Sequence, residues 1–491
     1  MARSGSGLSK SLILKGLQCQ KALWLAKHPP AFDFPPQPDR EARFAVGTEV
    51  GILAQQLFPG GVEVPYEGLS FPAQLARTKA LIDSGVEVIY EASFSFSAIF
   101  VKVDLLVKDG NQWQLYEVKM GTGVKPVNLD DVAVQQYVLN GCGLSLSKSF
   151  LVHMDNSYVR QDDIDVFRLF HAEEITDKVT ARQQSLPEIV REFRQTMGDV
   201  KEPVIDIGPH CSDPYECDYI PYCWQHLPEN SVFDLRGKGI NKFDYYNRGL
   251  IRFADLPLDD LNKAQRQQVE TTLNQQDLIA TDKVREFIDT LWYPLCHLDF
   301  ESFNTAIPKF DGIRPYQQVP FQYSIHLQQS AGAAPQHFEY LAQPGFDPRR
   351  ELIEQLLAVI PEDACVLTYN QAFEKSVLKE LAALFPDLAE AINLRLANVR
   401  DLMQPFRRRD VYRWQMRGSY SIKQVLPAMV PELSYAELEI ADGMAAMQAY
   451  QDMCAVDDPV ELEKLRKAML QYCALDTLAM VRILEELHRH I

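Results

Sequence analysis

The stretch that decides the fold of the first part of the chain reads VKVDLLVKDGNQWQLYEVKMGTGVK, residues 101–125. Two apolar runs, residues 101–107 and 113–118, flank a polar turn that contains Asp109 and Gly110. Asp-Gly between two runs rich in strand-forming residues is a strong hairpin signal. The sequence therefore predicts two antiparallel strands joined by a tight turn.

The predicted hairpin brings three charged residues together. Asp104 would lie close to Glu117 on the paired strand, and Lys119 would share the face of Glu117 because side chains alternate along a strand. Two carboxylates can hold a divalent cation, and a neighbouring lysine can orient or deprotonate a water molecule. An exposed hairpin with scattered charges would carry the same residues, so the surroundings of the motif decide between the two interpretations.

Length and composition limit the class of protein. At 491 residues the chain is long enough for two or three domains. No apolar run approaches the length of a membrane span, and the N-terminus lacks an apolar signal segment, so a cytoplasmic location with no membrane partner is expected. The net charge of −18 disfavours non-specific binding of nucleic acid, although a metal nuclease also concentrates acidic residues.

Helices and strands are mixed in the first 230 residues, which favours an α/β fold. The predicted elements are a helix or helix pair over 8–28, helices over 40–58, 72–84, 129–141 and 173–197, and strands over 86–95 and 150–154.

A run of cysteines follows these elements. The sequence HCSDPYECDYIPYCW contains Cys211, Cys217 and Cys223 at C-x5-C-x5-C spacing. With nine cysteines and no secretion signal, ligation of zinc or an iron–sulfur cluster is favoured over disulfides. Cys19 is the candidate fourth ligand, His210 and His226 keep a zinc site open, and a loop without metal is the remaining alternative.

These features together resemble the iron–sulfur RecB-like nucleases of the PD-(D/E)XK superfamily, a group that includes the CRISPR-adaptation exonucleases. The shared pattern is an S-x-S-x7-C helix, a glycine–Glu helix, D…E-x-K, a glutamine helix and a cysteine triplet, over roughly residues 8–226. The resemblance implies a restriction-endonuclease-like domain over 1–230. It also implies a 4Fe–4S cluster, with zinc as the alternative, that joins the first helix to the C-terminal segment. The family's close C-x2-C pair is absent here, since both gaps are five residues.

The resemblance also assigns roles to residues of a first site. Glu49, Asp104 and Glu117 would hold Mg²⁺ or Mn²⁺, and Lys119 would be the catalytic lysine. Gln135 or Gln136 would be the motif glutamine.

A second pattern begins with PLCHLDFESFN, residues 294–304. Asp299 and Glu301 lie two residues apart on a predicted strand, and a second strand follows over 319–327. A strand over 366–369 then leads into NQAFE and a helix, where Glu374 stands in place of the usual aspartate of an N-x2-F-D motif.

The pattern is completed by Tyr472 and Asp476, which share one face of a predicted helix over 459–489. The order D-x-E, N-x2-F-E, Y-x3-D resembles the tyrosine-type DEDD exonucleases of the RNase H-like superfamily. This resemblance implies that Asp299, Glu301, Glu374 and Asp476 hold two Mg²⁺ or Mn²⁺ ions and that Tyr472 orients the attacking water. Asp401, after a strand-like stretch over 393–399, is a further candidate carboxylate, with a helix cap as the alternative.

Basic and aromatic residues alternate between the second and third motifs, which suits contacts with phosphates and bases. The candidates for nucleic-acid binding are Arg407, Arg408, Arg409, Arg413, Trp414, Arg417 and Lys423. A similar mixture occurs at 233–253, where a solvated helical linker is an equal alternative.

The sequence thus predicts three segments: an iron–sulfur nuclease domain over 1–230, a helical connector over 231–293 and an RNase H-like exonuclease domain over 294–491. The last segment also resembles an uncharacterised bacterial family assigned to the RNase H-like superfamily. The expected function is hydrolysis of DNA single strands or ends at two metal sites, in repair, recombination or defence. The alternatives are a nucleic-acid-binding scaffold with one or both sites inactive, and an exonuclease acting on RNA.

Overall fold

The computed structural model describes residues 7–35 and 38–491, with the backbone alone for residues 38–41. The fold is mixed α/β and divides into two compact units. Unit 1 comprises the chain through His226 together with Thr305–Tyr316, and unit 2 comprises Leu227–Asn304 and Gln317–Ile491.

Unit 1 is built on a seven-stranded mixed sheet flanked by helices. Its strands are β1 (Leu8–Ser9), β2 (Val62–Glu63), β3 (Val88–Phe96), β4 (Ile99–Asp109), β5 (Gln112–Lys119), β6 (Leu146–Met154) and β7 (Phe170–Glu174). Its helices are α1 (Lys10–Gln18), α2 (Gln20–Lys27), α3 (Pro38–Ala54), α4 (Phe71–Asp83), α5 (Pro126–Gly141), α6 (Val166–Leu169), α7 (Thr176–Thr180), α8 (Leu186–Gly198) and α9 (Ile220–Cys223). The strand order is β2-β3-β4-β5-β6-β7, and β1 pairs with β4 in parallel.

The predicted hairpin is confirmed by β4 and β5. Asp109 pairs with Gln112 across a turn in which Gly110 has a φ of 59°, a left-handed conformation that glycine adopts without strain. Successive residues of β5 enter different cores: Leu115 packs with the core that contains α5, and Tyr116 packs with the core on the other side. Burial on both faces explains why β5 has consecutive buried residues from Leu115 to Val118, whereas β4 alternates buried and half-buried residues up to Leu105.

Two predicted helical regions of unit 1 have different outcomes. The region 8–28, predicted as a helix or helix pair, is a helix pair, because Cys19 has an extended backbone between α1 and α2. The single helix predicted over 173–197 is wrong. Its first residues belong to β7, which pairs with β6, and α7 and α8 follow as separate helices. Pairing with a neighbouring strand, which local periodicity does not report, decided the conformation of β7.

The segment Thr305–Tyr316 completes unit 1 although it lies far along the chain. Ala306 and Ile313 are buried, and Ala306 packs in the same core as Tyr116. Arg160 Nη1 donates to the carbonyl oxygens of Pro308 at 3.0 Å and Lys309 at 2.7 Å. Residues 294–491 predicted as one domain therefore contain a loop that belongs to unit 1.

Unit 2 contains a five-stranded sheet and a separate two-stranded sheet. Its strands are β8 (Leu278–Ile279), β9 (Leu295–Phe303), β10 (Val319–Gln328), β11 (Gln336–Leu341), β12 (Cys365–Thr368), β13 (Val399–Asp401) and β14 (Val411–Tyr412). Its helices are α10 (Lys242–Asn247), α11 (Lys263–Asn274), α12 (Thr281–Ile288), α13 (Arg349–Val359), α14 (Gln371–Leu384), α15 (Ala389–Ala397), α16 (Gln404–Arg407), α17 (Ile422–Met429), α18 (Gly443–Ala455) and α19 (Pro459–His488).

The larger sheet of unit 2 has the order β11-β10-β9-β12-β13. Strands β9, β10 and β11 are antiparallel neighbours, whereas β12 and β13 run parallel to β9. Every residue of β10 is buried, and α19 packs against β9 and β10. The stretch 393–399 predicted as strand-like is mostly helix α15, in which Leu394 is exposed and Ile392 and Arg395 are buried.

Residues 231–293, predicted as a connector, lie within unit 2 and contain α10, α11, α12 and β8. They have a small apolar core of their own, formed by Val232, Leu235, Tyr245, Phe253 and Val269 with their neighbours. Among the described helices of both units, none is long and apolar enough to cross a membrane.

The hydrogen bonds of Arg160 generate a stability prediction. Arg160→Ala leaves two backbone carbonyls of the 305–316 segment without a charged donor, and we expect unit 1 to lose about 2 kcal/mol of its free energy of unfolding. Urea unfolding combined with hydrogen exchange in residues 305–316 measures the loss. The control is Arg191→Ala, which removes an exposed pair with Glu188 and should cost less than about 0.5 kcal/mol. Equal effects of the two variants would contradict the role of Arg160.

Candidate functional site

The predicted residues Asp104, Glu117 and Lys119 lie together where the end of β5 runs beside the middle of β4. Asp104 Oδ2 accepts a hydrogen bond of 2.6 Å from the backbone N–H of Val118, the residue after Glu117. Lys119 Nζ lies 2.6 Å from Glu117 Oε1. The side chain of Glu117 is only 2 % exposed, so its charge is almost fully removed from water.

Two further charged residues, Lys10 and Asp131, complete this group. Lys10 Nζ lies 3.0 Å from Glu117 Oε1 and 2.8 Å from Asp131 Oδ1. Lys119 Nζ also reaches Asp131, at 2.8 Å from Oδ2. Neither residue was predicted from the sequence as part of a site. The signal for Asp131 was its position four residues before Gln135 on the same helix, whereas nothing local marked Lys10.

The predicted Gln135 joins the same group. Its Nε2 donates to Glu117 Oε2 at 2.6 Å and to Asp131 Oδ1 at 3.0 Å, while its Oε1 is buried with no hydrogen-bond partner. The alternative glutamine, Gln136, instead bonds Ser149, at 3.4 Å. We call Lys10, Asp104, Glu117, Lys119, Asp131 and Gln135 the first cluster.

Opposite charges set the protonation of the first cluster. Burial lowers the pKa of Lys119, but the carboxylates of Glu117 and Asp131 outweigh it and hold that pKa well above its usual range. Burial raises the pKa of Asp131, but the ammonium groups of Lys10 and Lys119 bring it far below its usual range. Burial and the charge of Glu117 raise the pKa of Asp104.

Glu49 is exposed on α3. A metal site needs at least three ligand atoms from acidic, histidine or cysteine side chains close together. Among the described residues, such atoms lie within 4.8 Å of one another in the group Asp299, Glu301 and Asp476. The structure therefore does not bring Glu49, Asp104 and Glu117 together as closely as that group. Asp104 and Glu117 can hold a cation, and the unpartnered Oε1 of Gln135 is a further oxygen beside them.

The four predicted cysteines line one cavity of unit 1. Cys19 lies between α1 and α2, Cys211 ends a short 3-10 turn, Cys217 lies in a loop, and Cys223 ends α9. Lys21 and His210 also line the cavity. The pKa of Cys223 is raised to about 11. Burial is the largest cause, the Lys21 ammonium acts against it, and the other three thiols add to it. Four thiols that influence each other across one cavity form a donor set suited to a metal or an iron–sulfur cluster.

Three carboxylates converge in unit 2. One oxygen each from Asp299, Glu301 and Asp476 lie within 4.8 Å of one another, although Asp476 is about 175 residues from the other two along the chain. Strand β9 presents Asp299 and Glu301, and α19 packs against that strand with Asp476 buried. The arrangement brings like charges together, which is costly unless protons or a cation neutralise them.

Glu374 lies at the edge of this group, in the first turn of α14. It lies outside the 4.8 Å group, but its pKa responds to the carboxylates of Asp401 and Glu301. Its Oε2 is buried without a hydrogen-bond partner. Asp401 has a structural role, since its Oδ1 accepts from the backbone N–H groups of Asn370 at 3.1 Å and Met403 at 3.0 Å. We call Asp299, Glu301, Glu374 and Asp476 the second cluster.

Burial and mutual repulsion keep protons on the second cluster. Burial, followed by the charge of Asp476, raises the pKa of Glu301 to about 8. Burial raises the pKa of Glu374 to about 8 and that of Asp476 to about 6. Asp299, which faces all three other carboxylates, has a pKa well above its usual range. The donor set of carboxylate oxygens, one of them unpartnered, fits a hard divalent cation.

Two tyrosines flank Asp476. Tyr472, predicted from the sequence, is buried one turn before it on α19. Tyr435, which the sequence analysis missed, donates its hydroxyl to Asp476 Oδ1 at 2.6 Å. The Lys423 ammonium lies 5.9 Å from the centre of the Tyr472 ring and lowers the pKa values of Glu301 and Asp476. The carboxylates of the second cluster therefore have a cation and two hydroxyl groups beside them.

The predicted nucleic-acid-binding residues have different surroundings. Arg407, Arg408 and Arg417 are exposed. Arg413 is instead held inside unit 2, where it donates to the Ala428 carbonyl at 2.9 Å and pairs with Glu486 at 3.2 Å. A side chain so engaged is not available to a phosphate.

Arg409 and Trp414 also lie partly buried. The Arg409 guanidinium stacks 4.9 Å from the centre of the Tyr412 ring, and Trp414 begins a short 3-10 turn. The exposed positive charge of the segment therefore rests on Arg407, Arg408 and Arg417, with Lys423 turned toward the second cluster.

Comparison with known proteins gives two matches. Residues 296–421 match the family described as Domain of unknown function (DUF2779), a range that includes Asp299, Glu301 and Glu374 but ends before α19. The chain is also similar to an uncharacterized protein, UU173, of Ureaplasma parvum serovar 3, with 26% identity over 211 residues. The alignment covers 38% of this chain and 30% of that protein, so the chain spans less than a third of this relative's length.

The raised pKa values of the second cluster predict a pH dependence. Acids with pKa values near 8 keep their protons at neutral pH, so a divalent cation must displace them, and its affinity should rise as pH increases from 6 to 8 and level off above. Calorimetric titration with Mn²⁺ in two buffers of different ionisation heat would detect the released protons. Subtracting the heat measured with an Asp299→Asn variant isolates the binding at this cluster. An affinity that is constant over this pH range would contradict the expectation.

Proposed function

We propose that the chain is a metal-dependent nuclease with two active sites that hydrolyses phosphodiester bonds of DNA, at single strands or ends, in repair, recombination or defence. The observation that carries the proposal is the convergence of Asp299, Glu301 and Asp476 within 4.8 Å. Buried carboxylates in such proximity destabilise the fold unless they bind protons or cations. Phosphodiester hydrolysis is a reaction that uses divalent cations held in this way.

The topology of unit 2 supports an RNase H-like exonuclease. Numbered within the sheet, the order β11-β10-β9-β12-β13 is 3-2-1-4-5, with only the second strand antiparallel to the first, fourth and fifth. In this proposal the four carboxylates of the second cluster would hold Mg²⁺ or Mn²⁺. The bound ions would supply positive charge to the attacking and leaving oxygens.

The remaining residues of the second site position groups and protons. Tyr435 fixes the orientation of the Asp476 carboxylate through the hydrogen bond to Oδ1. Tyr472 would orient the attacking water with its hydroxyl group. Lys423 offers a positive charge to a phosphate of the substrate, and the exposed Arg407, Arg408 and Arg417 would contact the strand backbone.

The first cluster supports a PD-(D/E)XK nuclease site in unit 1. Asp104 and Glu117 would hold a Mg²⁺ or Mn²⁺ ion, which would polarise the scissile phosphate and its water. Lys119 is held in its charged form beside Glu117 and would orient the water and the phosphate. Gln135 fixes the orientation of the Glu117 carboxylate through its Nε2.

The cysteine cavity supports an iron–sulfur cluster rather than zinc. In a tetrahedral zinc site with bonds of about 2.3 Å, the sulfur atoms lie about 3.8 Å apart. Among the described residues, no three of these sulfurs lie within 4.8 Å of one another, although all four cysteines line the cavity. A 4Fe–4S cluster would join Cys19 to the three cysteines at 211–223.

One observation favours a second candidate function for unit 1. Both oxygens of Glu117 already accept hydrogen bonds from Lys10, Lys119 and Gln135. A first cluster closed in this way also suits a nucleic-acid-binding scaffold without activity at that site. A third candidate function is hydrolysis of RNA in place of DNA, which a parallel assay of both substrates distinguishes.

The cluster proposal predicts the metal content of the protein. Protein purified without oxygen should be brown and contain about four irons per chain, and Cys211→Ser should lose the iron and loosen unit 1. Elemental analysis and visible absorption measure this. Cys142→Ser, at an exposed cysteine outside the cavity, is the control and should keep the iron. One zinc without iron would reassign the site, and absence of both metals would remove it.

The nuclease proposal predicts separable activities. With the second site disabled by Asp299→Ala, the variant Lys119→Ala should abolish the remaining cleavage, whereas the exposed control Lys148→Ala should not. With the first site disabled, Asp299→Ala should abolish 3′→5′ shortening of a 5′-labelled strand, and Tyr472→Phe should slow it about 10²-fold. Gel analysis of single-stranded DNA and RNA in parallel reads both activities. Shortening that survives Asp299→Ala, or cleavage of RNA alone, would overturn the site or the substrate.

A further inference from the structure

Lys10 occupies an unusual place in the first cluster. It is the first residue of α1 and directly follows β1, whose Leu8 and Ser9 pair with Ile99 and Phe100 of β4. This pairing brings the N-terminal segment to the strand that carries Asp104. The ammonium of Lys10 consequently reaches Glu117, 107 residues along the chain.

Lys10 and Lys119 share the same oxygen of Glu117. Both ammonium groups contact Oε1, at 3.0 Å and 2.6 Å. Asp131 binds each of them through a different oxygen, Lys10 at Oδ1 and Lys119 at Oδ2. Two lysines and two nearly buried carboxylates thus form a closed ring of alternating charge.

We propose that Lys10 is a positioning residue that competes with the divalent cation for Glu117, and that Asp131 retains the Lys10 ammonium when the cation binds. The proposal rests on the proposed function of the first cluster as a metal site. Lys10 thereby has a different role from Lys119, because Lys10 sets how tightly the cation is held.

Electrostatics give the direction of each effect. A cation at Glu117 would lie a few ångströms from two ammonium groups, and repulsion at that distance in a buried site is worth kilocalories per mole even with strong screening. Removing the Lys10 ammonium therefore increases the affinity of the site for the cation. Removing the charge of Asp131 has the opposite effect, because both ammonium groups then remain with Glu117 as their sole carboxylate partner in the ring.

The two lysines also differ in what holds them. Lys119 is fixed on β5 two residues from Glu117, so its distance from that carboxylate is set by the strand. Lys10 stands at the start of a helix on a different segment, and its side chain can move to Asp131 alone without a change in the sheet. Lys10 is therefore the ammonium that Asp131 would retain.

The test measures metal affinity rather than cleavage. Mn²⁺ is titrated calorimetrically into the full chain carrying Asp299→Asn, which isolates the first cluster, and the binding that Glu117→Gln removes is attributed to this site. We expect Lys10→Met to bind Mn²⁺ about tenfold more tightly and Asp131→Asn about tenfold more weakly. A structural role alone would not move the affinity in opposite directions.

The control is Lys15→Met, on the same helix. Lys15 has the same 24 % side-chain exposure as Lys10, but its ammonium pairs with Asp218 at 2.7 Å. This variant removes the same charge and should leave the Mn²⁺ affinity unchanged. Lys10→Gln keeps a hydrogen-bond donor for both carboxylates and replaces Lys10→Met should the methionine variant fail to fold.

The outcomes separate this inference from the proposed function. Glu117-dependent binding with the same affinity in the Asp299→Asn parent and in its Lys10 variants would overturn the role of Lys10 and leave the metal site intact. If Lys15→Met tightened Mn²⁺ binding as much as Lys10→Met, the effect would come from overall charge, and this result would also overturn the role of Lys10. Absence of Glu117-dependent binding in every variant would overturn both the inference and the metal site.

Discussion

Burial of carboxylate charge is the constraint on which both clusters depend. An ionised carboxylate removed from water is stable only when a counter-charge, a proton or a set of hydrogen bonds compensates it. The first cluster uses two ammonium groups, so Asp131 stays ionised although it is almost fully buried. The second cluster has one lysine nearby, and its acids keep protons to unusually high pH.

This difference has a consequence for metal uptake. At the second cluster a divalent cation would exchange with protons, so pH governs its binding. At the first cluster a cation would also compete with two ammonium groups for Glu117, and the pKa of the Lys119 ammonium is held well above its usual range, so ion pairing contributes to the binding there. The two clusters would thus differ in what a cation must displace, because two ammonium groups lie within the first and only the Lys423 ammonium lies beside the second.

Unit 1 is completed by contacts between distant parts of the chain. The cysteine cavity joins Cys19 to residues beyond 210, Lys10 joins the start of α1 to Glu117, and Arg160 binds the segment 305–316. The last contact means that the chain leaves unit 2 after Asn304 and returns at Gln317. A fragment that ends at residue 230 would therefore lack part of the unit that the sequence places there.

The sequence by itself determined what local spacing controls. Asp-Gly between apolar runs predicted the hairpin of β4 and β5, and alternation along a strand placed Lys119 beside Glu117. The pitch of a helix placed Tyr472 and Asp476 on one face of α19, because residues four apart are neighbours there. Each of these relations spans only a few residues or one turn.

Only the tertiary structure decided which distant side chains meet. It brought Lys10 and Asp131 to Glu117, Tyr435 to Asp476, and Arg413 to Glu486, and it left Glu49 exposed on α3. It also turned residues 170–174 into a strand, because β6 offered a pairing edge. The physical reason is that strand pairing and helix packing, which set these distances, involve residues far apart in sequence, and local periodicity carries no record of them.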